Sequence, residues 1–111
     1  MTIKWVKVDP LVMNGEPFCY GTRLTVRQLL ELRRNGYGLT ELIKDHPELR
    51  RLGVAAAYAY AAEHRERYRE FFEADGSLAG PGFSAAEAAD LPLYYRQPGV
   101  VVKDRAGAPA G

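Results

Sequence analysis

The chain has 111 residues, 47% hydrophobic and 26% charged, with one cysteine and a net charge of +1, which suits one domain with a single modest core and excludes wholesale disorder and an internal disulfide. It holds no apolar run of about 18 residues, and its opening MTIKWVKVDP lacks the apolar centre of a signal peptide, so the expectation is a cytoplasmic protein without a membrane span. Residues 1–72 carry twelve Lys or Arg against nine Asp or Glu, and residues 73–111 three against five, so any basic face belongs to the first two thirds of the chain.

TIKWVKV alternates, with Ile3, Trp5 and Lys7 on one side and Lys4, Val6 and Val8 on the other, and predicts a strand. Asp9-Pro10 turns the chain. Asn14-Gly15, between LVM and EPFCY, supplies the positive φ values of a two-residue type I′ hairpin. Pro17 has no N–H to donate, which places the second strand at an edge or Pro17 at a non-bonded position. So small a hairpin is marginal alone in water and needs a partner surface, from the following helices or from a second copy of the chain.

The best-specified point is the next helix start. Thr25-x-x-Gln28 has the form of a capping box, Leu24 and Leu29 flank it as a hydrophobic staple, and Gly21 relieves the backbone before it. Val26, Leu29, Leu30 and Leu32 form a helical stripe, and Gly36 terminates it, giving a first helix over about residues 26–35. Thr40 is placed to cap a short second helix, ELIKDH, which Pro47 ends. A third helix is predicted from Leu52 to Phe72, with Val54, Tyr58, Ala61, Tyr68 and Phe72 near one face. A small strand region and three helices, the first two joined by a tight turn, outline a helix-turn-helix domain over residues 1–76.

Residues 77–111 read as a linker, a short helix after the capping-box form Ser84-x-x-Glu87, and a tail whose end, DRAGAPAG, is expected to be disordered. LPLYYRQPGVVVK within it is apolar and aromatic. It either docks onto its own domain or serves as a partner-binding arm through Tyr94, Tyr95, Arg96, Val101 and Lys103.

Catalytic chemistry has little support. Cys19 has His46 and His64 as conceivable bases but no third orienting group, and a lone cysteine in a strand is most often a small buried hydrophobe. Two histidines and one cysteine fall short of a metal site, and the glycines lack the Lys-Ser/Thr ending of a phosphate loop. The expectation is a binding protein, not an enzyme, with no cofactor.

GEPFCYGTRLTV, then LLELRRNGYGLTELIKDHPEL, then VAAAYAYAAEH resembles the bacterial domain-of-unknown-function family 433, with its pattern Gly-x-Pro-x-x-x-Gly-Thr-Arg-x-x-Val. The matching positions are Gly15, Pro17, Gly21, Thr22, Arg23 and Val26, followed by Gly36, Ile43, Asp45, Pro47, Leu49, Val54, Ala57, Tyr60 and Ala61. The resemblance covers about residues 9–64. It implies a mainly α fold with a small N-terminal β-hairpin, a homeodomain-like helix-turn-helix of three helices, and here a C-terminal arm. It also implies an antitoxin paired with a PIN-like ribonuclease toxin.

The third helix departs from the pattern at its start, where Arg50-Arg51-Leu52-Gly53 stands in place of Ser or Thr followed by acids. Two cations at the positive end of a helix are locally unfavourable by about 0.3 to 1 kcal/mol each. Either an external anion such as a DNA phosphate resolves this, or the arginines turn to solvent or pair with Asp45 and Glu48. On the first reading Arg23, Arg27, Arg50 and Arg51 contact operator DNA as part of a homodimer, and Arg96, Lys103 or Arg105 enters the acidic Mg²⁺ site of the toxin. A DNA-binding regulator without a toxin is the alternative.

Overall fold

The computed structural model describes residues 5–11 and 15–103. Ile3 and Lys4 of the expected strand, the Asn14 half of the expected turn, and residues 104–111 with Arg105 lie outside the described residues.

Helix α1 (Val26–Arg34) begins at the capping box: the Gln28 N–H donates to Thr25 Oγ1 at 3.0 Å and the Thr25 N–H to Gln28 Oε1 at 2.9 Å. Two donors that a helix start leaves unpaired thereby satisfy each other's residues. Leu24 packs against the core that contains Leu29. At the other end Gly36 takes φ 98°, which lets its N–H reach Arg33 O at 2.9 Å and the Tyr37 N–H reach Leu32 O at 3.0 Å, a Schellman ending.

Helix α2 (Leu39–Asp45) starts earlier than a Thr40 cap would place it. Gly38 occupies the cap and its N–H donates to Glu41 Oε1 at 2.8 Å, while Thr40 is exposed within the helix. Pro47 stops α2 as expected, with His46 held at φ −132° and ψ 77°, away from the helical region.

Helix α3 (Arg51–Glu63) ends at Glu63, not at Phe72. The His64 ring turns back onto Tyr60, stacked with 4.0 Å between centres. Beyond it, Arg27 takes the Arg67 carbonyl at 3.0 Å and the Glu70 carboxylate, while Tyr68 and Phe71 enter the core. Tertiary partners thus replace the bonds along a longer helix, and propensity yields to them.

The strand pairing also differs from expectation. Strand β1 (Val6–Lys7) runs antiparallel to β2 (Phe18–Cys19), Val6 opposite Cys19 and Lys7 opposite Phe18, so β2 pairs upstream of Asp9-Pro10, whereas Val12 and Met13 of LVM lie outside the described residues. The pairing buries Cys19 and half-buries Val6, whereas Leu11 is 94% exposed. On its other side β2 enters a tight return, closed by the Cys19 N–H on Leu24 O and the Val26 N–H on Pro17 O, both 2.9 Å. Gly21 makes the bend at φ 80°, and the Thr22 hydroxyl donates to Cys19 O at 3.0 Å while accepting from the Leu24 N–H at 3.1 Å. Pro17 loses no ladder bond because only its carbonyl is used.

After residue 76 the chain continues into the same core. Helix α4 (Ala85–Ala88) follows its capping box, with the Glu87 N–H on Ser84 Oγ at 3.1 Å. Gly82 and Phe83 run beside Val101–Lys103, the Phe83 N–H donating to Val101 O at 2.7 Å and the Lys103 N–H to Phe83 O at 3.0 Å. Leu78, Phe83, Leu91 and Val101 join Val26, Leu29 and Leu30 of α1 and Val54, Ala57 and Tyr58 of α3 in one cluster. The boundary expected at residue 76 therefore falls inside a single core. The architecture is a small compact domain of four α-helices with a two-stranded antiparallel hairpin near its N-terminus. Among the described residues no helix is long and apolar enough to cross a membrane.

Candidate functional site

The four arginines singled out by sequence separate into two kinds. Arg23 is exposed at the tip of the return after β2, and Arg50 is exposed at the cap of α3 without a side-chain bond to it. Neither side chain forms an ion pair or hydrogen bond with the described residues. The elements that carry them meet, because the Cys19 thiol lies 3.7 Å from Gly53 O and Trp5 of the β1 side packs against Gly53.

Arg27 and Arg51 are engaged within the chain. Arg27 pairs with Glu70, approaches Glu16 at 3.9 Å, and lies over the Tyr68 ring at 5.3 Å. Arg51 grips Asp90 with both terminal nitrogens, at 3.0 and 2.8 Å, and donates to Glu87 O. That grip holds the Asp90 carboxyl below its ordinary range. The partner expected among Asp45 and Glu48 is thus Asp90, brought from beyond α4, and its carboxylate offsets the cation at the positive end of α3.

The tail residues are distributed likewise. Val101 is fully buried. Lys103 donates to Leu78 O at 2.8 Å and Ser77 Oγ at 3.3 Å, and Arg96 donates to Leu91 O at 2.6 Å and Ala89 O at 2.9 Å. Tyr94 remains 60% exposed with Tyr95 half-buried behind it. Of the two alternatives for this segment, docking on its own domain is what Val101, Lys103 and Arg96 do.

Cys19 is 1% exposed and burial pushes its thiol up to about 12, so the nucleophilic thiolate is strongly disfavoured.

Arg33, which sequence reasoning passed over, is the buried charged residue of the core. Its side chain donates to Gly80 O at 3.3 Å, to Leu78 O at 3.4 Å and to Val100 O. Its position was legible, since residue 33 continues the stripe of Val26, Leu29 and Leu30 at helical spacing; only its residue type argued for solvent.

A groove of about 600 Å³ opens between β1, the end of α2, the first turn of α3 and the Leu91-Pro92 strap. Trp5, Ile43, Leu49, Leu52 and Leu91 line it, with Arg50 and the Arg51–Asp90 pair at its edge.

Residues 6–61 match the model of a family described as a protein of unknown function (DUF433). The match runs from β1 to α3 and stops short of the segment that Arg33 holds. No curated protein and no solved structure matches the chain.

Proposed function

The chain belongs to the DUF433 family, and on that premise we propose that it is a bacterial antitoxin that binds its own operator DNA and neutralises a PIN-like ribonuclease toxin. In this reading α1, α2 and α3 act as a homeodomain-like helix-turn-helix unit, and the protein binds DNA as a homodimer.

The observation that supports it best is the division among the arginines. Arg23 and Arg50 are exposed, unpaired with any described residue and carried by touching elements, which is the state expected of phosphate contacts. Arg27 and Arg51 have internal carboxylates and serve the fold. On the toxin side, exposed Tyr94 with Tyr95 is the available contact, since Val101 is inside and Arg96 and Lys103 hold carbonyls of their own chain.

The docking of residues 77–103 on their own core favours one second reading, a DNA-binding regulator with no toxin. Co-expression with the product of the adjacent gene separates the two. The antitoxin reading requires a complex that co-purifies and suppresses that product's ribonuclease activity. Failure to co-purify or to inhibit removes the toxin and leaves the regulator.

A further inference from the structure

We propose that Arg23 enters the minor groove of A·T-rich duplex DNA, with α3 taking no part in base contact. The inference deepens the reading above and rests on it for the DNA. It names the element that reads the duplex and the groove it reads.

A helix-turn-helix carries its base contacts on the second helix of the pair, here α3, but α3 has no free face. Every residue from 53 to 59 is buried, close to two turns at 3.6 residues per turn. The helix packs against α1, both strands and the Leu93–Tyr95 turn. At its ends, Arg51 is bound to Asp90, and Glu63 is an exposed acid that phosphate would repel. Helix α3 is therefore the centre of the unit, and the reading element lies elsewhere.

The exposed faces of α1 and α2 are mixed in charge. On α1 Gln28, Glu31 and Arg34 face solvent, and Arg34 already lies over the Phe71 ring at 4.6 Å. On α2 the exposed residues are Thr40, Lys44 and Asp45. A helix in the major groove lies between two phosphate rows, so Glu31 or Asp45 would face anions. The return between β2 and α1 differs, because residues 17–26 hold no acid. Arg23 stands exposed on it, and Lys7 adds a second cation 5.3 Å from the ring centre of Tyr20, which opens the return.

The return is tied down on both sides of the arginine. The Tyr20 N–H donates to Trp5 O at 2.7 Å and the Thr22 N–H to Cys19 O at 3.1 Å. The Thr22 hydroxyl bridges Cys19 O and the Leu24 N–H. Little backbone freedom is left to lose when the tip binds.

A minor groove about 6 Å wide admits one arginine side chain but not an α-helix about 10 Å across. Along A·T runs it is narrow and its negative potential is enhanced. On its floor A·T shows only acceptors, whereas G·C adds the guanine 2-amino donor, which opposes the all-donor guanidinium. Arg23 there lies between the two phosphate rows and still displaces their counterions, so it keeps its place in the salt dependence beside Arg50.

The test is titration of the full chain, at one salt concentration, against three alternating duplexes of equal length made of A·T, G·C or I·C pairs. Inosine lacks the 2-amino group of guanine, so I·C has the minor groove of A·T and the major groove of G·C. The A·T and I·C duplexes are expected to bind within about 3-fold of each other, and G·C at least about 10-fold more weakly, within the range of one mismatched contact. Arg23→Ala should bring all three within about 3-fold, whereas Arg50→Ala should weaken all three by about the same factor, as a backbone contact does. Both side chains are at the surface, so circular dichroism should show both variants folded.

An I·C duplex that binds like G·C overturns the proposal and leaves the DNA-binding reading standing. So does equal affinity for all three, or an A·T preference that Arg23→Ala leaves intact. No binding to any of them, nor to a fragment from upstream of the chain's own gene, removes the operator reading and this inference with it.

Discussion

The Arg33 guanidinium stands over the Tyr58 ring, 4.5 Å from its centre, with both side chains inside the protein. No carboxylate balances it among the described residues. The charge is met instead by the ring face and by the carbonyls of Leu78, Gly80 and Val100. Burial pulls its pKa down to about 10, so it remains a cation at neutral pH, and α1 becomes the anchor of the last third of the described fold.

Arg33→Ala should destabilise the protein by about 3 kcal/mol or more, because the Gly80 and Val100 carbonyls lose the guanidinium donor, Leu78 O loses one of its two, and a large side chain leaves a cavity in the core. Urea unfolding measures the loss, and hydrogen exchange should rise first in residues 78–101. Arg33→Lys should recover less than half, since an ammonium lacks the planar fork that reaches several acceptors. A change below about 0.5 kcal/mol in Arg33→Ala, the scale of an ordinary surface substitution, would remove the anchor role.

Gly80 has φ 86° and its missing Cβ leaves room for the Arg33 backbone carbonyl. Gly80→Ala meets both the left-handed backbone and a collision with main chain that no rotamer relieves. Thermal unfolding should show a cost of about 2 kcal/mol or more, whereas Gly21→Ala, at φ 80° with nothing within 4 Å, should cost only the backbone strain of about 1 kcal/mol. Equal losses at the two sites would mean that the close approach at Gly80 has no energetic weight.

Alkaline stability carries the mark of Cys19. Its thiol is raised by burial from 9.0 to about 12, so the folded chain keeps a proton that the unfolded chain releases. That contribution is fully present below pH 9 and is lost as pH rises towards 12. Tyr58 and Tyr68, raised by burial from 10.0 to about 12, add the same direction above pH 10. Arg33, lowered by burial, acts oppositely there. At pH 10 the thiol alone costs on the order of 1 kcal/mol, about one pH unit of linkage. Cys19→Ala should be less stable at neutral pH yet lack the fall between pH 9 and 10, as denaturant titrations at the two pH values would show.

Tyr68 presents a smaller test. Its hydroxyl is buried with no hydrogen-bond partner among the described residues, and an unmade bond costs free energy. Tyr68→Phe keeps the ring beneath Arg27 and should be neutral or stabilising by up to about 1 kcal/mol in urea. A marked destabilisation would show that the hydroxyl has a partner such as a bound water.

Local chemistry was the part of this fold that sequence made legible. Thr25 and Gln28, Ser84 and Glu87, Gly36 and Pro47 act over three or four residues, and each does in the structure what its type and spacing require. One local reading gave way locally, the Thr40 cap to Gly38 with Glu41; the other differences depend on distant partners. The partner of β2 is Val6–Lys7, more than ten residues upstream, where Val6 packs beside Cys19 against the core. The end of α3 is set by Arg27 reaching Arg67 and Glu70, some forty residues apart in sequence, which no periodicity reports.

The candidate site followed the same rule. Arg23 and Arg50 could be named from the sequence because they are exposed, and the family pattern singles out the first. Arg51 could be named but its partner could not, since Asp90 reaches it only after the chain folds back beyond α4. Arg33 escaped because average burial preferences argue against an arginine in a core, while its place on the α1 stripe argued for one.

The central claim is that the chain binds operator DNA through Arg23 and Arg50, with Arg27 and Arg51 kept for the fold. The most direct measurement is the salt dependence of its affinity for a DNA fragment from upstream of its own gene. Each neutralised phosphate contributes about −0.9 to the slope of log affinity against log salt, so Arg23→Ala with Arg50→Ala should make the slope shallower by about 2. Arg27→Ala with Arg51→Ala should lower stability and leave the slope of the folded protein unchanged. A slope unmoved by the first pair, or moved as much by the second, would contradict the account.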